Sequence, residues 1–101
     1  MKKVKIFISQ PMRGKTNEQI AEERIKAIEH VGKFFDTYDI EILDTFFADK
    51  FGNAPALYYL GESILQLSEA DFAYFAPGWE DARGCVIERM CCEMYEIPIL
   101  A

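Results

Sequence analysis

The stretch "FAYFAPGWEDARGCVIERMCCEMYEIPIL", residues 72 to 100, decides the fold. Its first five residues, "FAYFA" (72–76), form a short apolar run rich in aromatics, the composition of a buried strand. "PGWED" (77–81) is turn chemistry, and a helix is expected from about Ala82 to Tyr95. "IPIL" (97–100) then reads as another strand. Two strands joined by a helix and short turns must run parallel, with a right-handed crossover.

The same pattern extends toward the N-terminus. "VKIFIS" (4–9) suits a buried strand. Thr16 followed by Gln19 is the signature of a capping box, opening a helix that runs to about Phe35 with Ile20, Ile28, Val31 and Phe35 near one face. "IEIL" (40–43) is a strand and "DTFFADKFGNAP" (44–55) a loop. Asn53 and Pro55 introduce a helix over about 56–69, with Leu57, Leu60, Ile64 and Leu67 or Ser68 on one stripe. The order β-α-β-α-β-α-β predicts one α/β domain over residues 1–101, a flavodoxin-like three-layer sandwich with a parallel sheet ordered 2-1-3-4. In such a sheet, ligands sit beyond the carboxyl ends of the strands, where the strand order switches between the first and third. The two loops meeting there are "SQPMRGKT" (9–16) and "APGWEDARG" (76–84).

Composition narrows the partners. A chain of 101 residues fits one domain and gains stability by oligomerising. Its net charge of −6 repels phosphate backbones, so polymeric DNA or RNA is not an expected partner. A small anion is compatible if a local nest of N–H groups and an Arg outweigh that field. The apolar run in "MKKVKIFISQ" is too short for a signal peptide, and no segment reaches membrane-spanning length. Three crowded cysteines, with Cys91 and Cys92 adjacent, read as free thiols in a reducing cytoplasm. One His and no CxxC leave neither a zinc site nor any cofactor expected.

Within "QPMRGK", Pro11 stiffens the exit from the first strand and Gly14 permits a tight turn. Arg13 is either a solvated turn residue or a fork for a phosphate or carboxylate, near the N–H groups of the helix that opens at Thr16. In the third helix, Ile87, Met90, Cys91 and Met94 define the expected buried stripe, with Glu88 on its flank one turn after Gly84. Glu88 is thus either a boundary residue paired with Arg or Lys, or a carboxylate at the crevice mouth. Trp79 either stacks on a ligand base or caps the core. His30 reads as structural, and Tyr58, Tyr59 and Tyr95 as packing residues.

"KIFISQPMRG", "LGESILQLSEADFAYFAPGW" and "ARGCVIE" together resemble the nucleoside 2-deoxyribosyltransferase superfamily, especially its small bacterial and phage members. The likeness extends over nearly the whole chain. It implies a flavodoxin-like fold, a homodimer or higher homo-oligomer, and cleavage of the N-glycosidic bond of 2-deoxynucleosides or their 5'-monophosphates. It places Glu88 as the nucleophile that forms a deoxyribosyl-enzyme, and Arg13 and Gly14 near a 5'-phosphate. A helix N-terminus is expected to keep Glu88 ionised. The chain departs from the family pattern at three helpers: Ser63 stands for an Asp in the second helix, Ala82 for a Ser or Asp before the nucleophile, and Phe7 for a Tyr in the first strand. Glu62 and Asp81, each beside one of those positions, complete the candidate catalytic set with Glu88. Gln10, Met12, Arg13, Gly14, Ser63, Gly78, Trp79 and Gly84 form the candidate substrate-binding set. Two other readings stand beside the enzyme: a catalytically inactive nucleotide-binding or sensing module, and an oligomeric interaction protein using the aromatic loop 46–51.

Overall fold

The computed structural model describes residues 3–35, 39–43 and 54–100. The elements are β1 (Val4–Ser9), α1 (Asn17–Gly32), β2 (Ile40–Ile42), α2 (Ala56–Leu67), β3 (Phe72–Phe75), α3 (Arg83–Met94) and β4 (Ile99–Leu100), with a 3-10 turn over Trp79–Asp81. The sheet is fully parallel and ordered β2-β1-β3-β4, the expected flavodoxin-like arrangement. The loop expected at 44–55 lies largely outside the described residues, and with it Phe46, Phe47, Phe51 and Asn53.

Strand alternation sorts β1 onto two cores. Ile6 and Ile8 pack on one face with Ala27 and Val31 of α1. Phe7 packs on the other with Leu67 of α2, Ala73 and Phe75 of β3, and Cys85 and Cys92 of α3. Ser9, two residues after Phe7, follows it to the α2–α3 side at the carboxyl end of the strand. The register that holds it there is bonded at both ends. The Lys5 amide donates to Asp71 Oδ2 at 2.9 Å, and the Ala76 amide to the Ser9 carbonyl at 2.9 Å.

The α1 start carries both halves of its capping box: the Gln19 amide donates to Thr16 Oγ1 at 3.1 Å, and the Thr16 amide to Gln19 Oε1 at 2.9 Å. Thr16→Ala is expected to cost about 1 kcal/mol, a fall of roughly 4–8 °C in Tm for a domain this small, read by thermal melting. Arg24, further along α1, links three segments. Its guanidinium donates to the Leu43 carbonyl at 2.8 Å and to Gln10 Oε1 at 3.4 Å, while Gln10 Nε2 donates to the Ile20 carbonyl at 3.1 Å.

The third helix is turned differently from the expected one. Its buried residues are Cys85, Glu88 and Cys92, whereas Ile87, Met90 and Met94 are exposed. At 100° per residue the two sets lie roughly 160° apart. The reason is size: buried cysteine is a small apolar residue, and Cys85 and Cys92 let α3 lie close against Phe7, Ala73 and Phe75. On α2 the expected stripe holds at Leu60, Ile64 and Leu67, but Leu57 is exposed. Among the described residues no helix is long and apolar enough to cross a membrane.

Candidate active site

A cleft of about 1090 Å³ opens beyond the carboxyl ends of β1 and β3. One wall is the β1 exit, from Phe7 through Arg13; the second is α2, with Ala56, Leu57, Tyr59, Leu60 and Ser63. The third is Gly78 with Asp81 through Cys85, Ile87 and Glu88. The loops touch where Gly78, at φ 89°, passes Pro11: a Cβ on this glycine would lie 3.6 Å from Pro11 Cγ. Gly84 likewise leaves the first turn of α3 open, the nearest atom to an added Cβ being Leu60 Cδ1 at 3.9 Å.

Glu88 lines this cleft although only 7 % exposed. Ser9 Oγ, itself buried, donates to Glu88 Oε1 at 2.6 Å. The Ser63 hydroxyl on α2 also favours the ionised carboxylate, more weakly than Ser9. Its partner is therefore a hydroxyl, and the pairing with Arg or Lys that a boundary residue would make is absent among the described residues. Burial pushes its pKa from 4.5 up to about 7, against the two hydroxyls, which favour the ionised form. The expected protection by the helix N-terminus is corrected on this point. Glu88 sits in the second turn, beyond the reach of the first-turn dipole, and desolvation governs it.

Cys85 sits beside this pair. Burial pushes its thiol up to about 11, with Ser9 hydrogen bonding opposing and the Glu88 charge adding to the rise. At neutral pH it is a protonated thiol and a poor nucleophile. Cys91 and Cys92 are likewise free. Among the described residues, no three His, Cys, Asp or Glu side chains gather as metal ligands would.

Of the residues singled out from the sequence, Gln10, Met12, Arg13, Ser63, Gly78, Asp81, Gly84 and Glu88 line the cleft. Glu62, Gly14 and Trp79 do not. Glu62 is half-buried elsewhere on α2, and Gly14 is an exposed turn residue at φ 78°. Trp79 packs against the core, 5.9 Å from the Phe75 ring, with the Arg89 guanidinium 4.3 Å above it. Gln10 lies on the wall, but its amide is engaged with Ile20 and Arg24. His30 contacts the rings of Phe34 and Tyr74. Sequence reading missed Ser9 and Arg83. Ser9 was detectable as the residue that ends β1 on the Phe7 face, and Arg83 as the charged residue beside the glycine ahead of Glu88.

No family model matches the chain, and neither a curated protein nor a solved structure does.

Proposed function

We propose that the protein cleaves the N-glycosidic bond of a 2-deoxynucleoside or its 5'-monophosphate through a covalent deoxyribosyl-Glu88 intermediate. The observation that carries this reading is a carboxylate held by the Ser9 hydroxyl, almost fully buried, on the wall of a cleft at the strand-order switch point. Such a group is desolvated and fixed in direction, as a nucleophile toward an oxocarbenium-like centre needs to be. Ionised Glu88 bonds to the anomeric carbon as the bond to the base breaks, and the base leaves with that electron pair and accepts a proton. Water or a second base then displaces the carboxylate. Asp81, exposed on the same wall, is the acid best placed among the candidates to protonate the leaving base, since Glu62 is not on the cleft.

One observation favours a second reading. Ser63 occupies the position where the resembled family has an acid, and its hydroxyl favours the ionised form of Glu88. A cleft with that arrangement also suits a nucleotide-binding module without turnover. Incubating the protein with each deoxynucleoside and its 5'-monophosphate, with and without an acceptor base, separates the two readings. Released or exchanged base is expected by chromatography. If no substrate turns over while a nucleotide still raises Tm, the binding module replaces the enzyme.

A further inference from the structure

The loop in the third wall of the cleft is fastened from behind. Gly78 and Asp81 line the cleft, whereas Trp79 between them does not. The three belong to one tight turn: the Asp81 amide donates to the Gly78 carbonyl at 3.1 Å, and the Ala82 amide to the Trp79 carbonyl at 3.1 Å. A shift of Trp79 therefore carries Asp81 with it. Ala82, the N-cap of α3, has no side-chain hydrogen bond to offer the helix start. The fastening comes instead from Arg89, in the second turn of α3. Its guanidinium lies 4.3 Å from the centroid of the Trp79 ring and 5.3 Å from that of Phe75 in β3. The two rings meet at 5.9 Å, and Trp79 packs on the core that holds Phe7, Cys85 and Cys92. Among the described residues Arg89 forms no ion pair, so aromatic faces hold its charge. Glu88 is its neighbour in the chain, yet what Arg89 touches is the loop.

We propose that Arg89 is a positioning residue: stacked on Trp79, it holds the Trp79–Asp81 turn so that Asp81 meets the base that Glu88 displaces. This rests on the reading of Glu88 as nucleophile and Asp81 as acid. In that reaction Glu88 bonds to the anomeric carbon. The base leaves with the electron pair of the broken C–N bond and takes the proton of the Asp81 carboxyl. The water or second base that later displaces Glu88 returns a proton to Asp81. Arg89 touches none of the reacting atoms and acts through the turn alone.

Leaving-group dependence separates this role from a general loss of structure. A nucleoside needs the Asp81 proton, whereas a nitrophenyl 2-deoxyriboside does not, because its phenolate departs unprotonated. In Arg89→Ala, kcat on 2-deoxynucleosides is expected to fall on the order of 10- to 100-fold with KM little changed, the scale of a misplaced catalytic group. Turnover of the nitrophenyl substrate should stay near wild type, and so should the acid limb of the pH profile, which belongs to Glu88. Arg89→Lys, which keeps the charge but not the planar group that stacks, should fall between. Asp81→Asn should show the same split between substrates, and Arg89→Ala added to it should cost little more. Trp79 is the only tryptophan in the chain, so its emission reads the stack directly and should become more open to acrylamide quenching in Arg89→Ala. Unchanged kcat or unchanged quenching in Arg89→Ala would overturn the positioning role alone. So would an equal loss on both substrates in an Arg89→Lys protein that melts as wild type does. If wild type releases no base from any nucleoside, the enzyme reading fails and the positioning role with it.

Discussion

Glu88→Gln is expected to lower turnover on the order of 1,000-fold or more while the protein stays folded, as removal of an essential nucleophile does. The amide keeps the volume of the carboxylate and can still accept from Ser9, so the packing of α3 need not change. On the proposed mechanism the ionised carboxylate is the reactive form, and burial raises its pKa to about 7. The rate of the first step should therefore rise with pH and level off above about pH 7. Stability should move the other way. The folded protein keeps a proton that the unfolded chain releases near 4.5, so the stabilisation is complete below that pH and lost as pH rises to about 7. The loss is on the order of 3 kcal/mol, and Glu88→Gln should escape it. Melting curves at pH 5 and pH 8 check this. A variant that melts several degrees below wild type at pH 8 would mean the fold itself needs the charge.

Ser9→Ala should have the next largest effect. It removes the 2.6 Å hydrogen bond and leaves a buried carboxylate oxygen without it. The cost is roughly 1–3 kcal/mol for an unsatisfied buried acceptor, largest above pH 7 where that oxygen is charged. Because the lost bond favours the ionised form, the Glu88 pKa should climb further and the acid limb of the rate profile move with it. Ser63→Ala should shift the limb in the same direction but less, since Ser9 has the stronger effect on the carboxylate. NMR titration of the Glu88 carboxyl carbon reads both. An unmoved titration in Ser9→Ala would sink this account of how the carboxylate is held.

The fold was legible because strand and helix runs alternate with short turns, and because β1 and β3 are apolar enough to be buried on both faces. The location of the cleft followed from topology alone. The rotation of α3 was not legible: Ile87, Met90 and Met94 outweigh two cysteines in any apolar count, yet it is Cys85 and Cys92 that pack with Phe7 and Phe75. That rotation turned Glu88 from a flank residue into a buried one, and with it changed the origin of its acidity. Ser9 escaped notice because a serine at a strand end is unremarkable until the helix residue packed over it is known. Trp79 and Glu62 were singled out by their neighbours in sequence, whereas a half-turn of helix decides which of those neighbours meets the cleft.

The Arg24 linkage has a bearing on association itself. Gln10, at the root of the loop that carries Met12 and Arg13, is already tied to α1 and, through Arg24, to the end of β2. The conformational freedom of that root is surrendered when the chain folds, not when a ligand arrives. A guest entering the cleft meets a wall whose shape is set beforehand, and less of its contact energy goes into ordering the host.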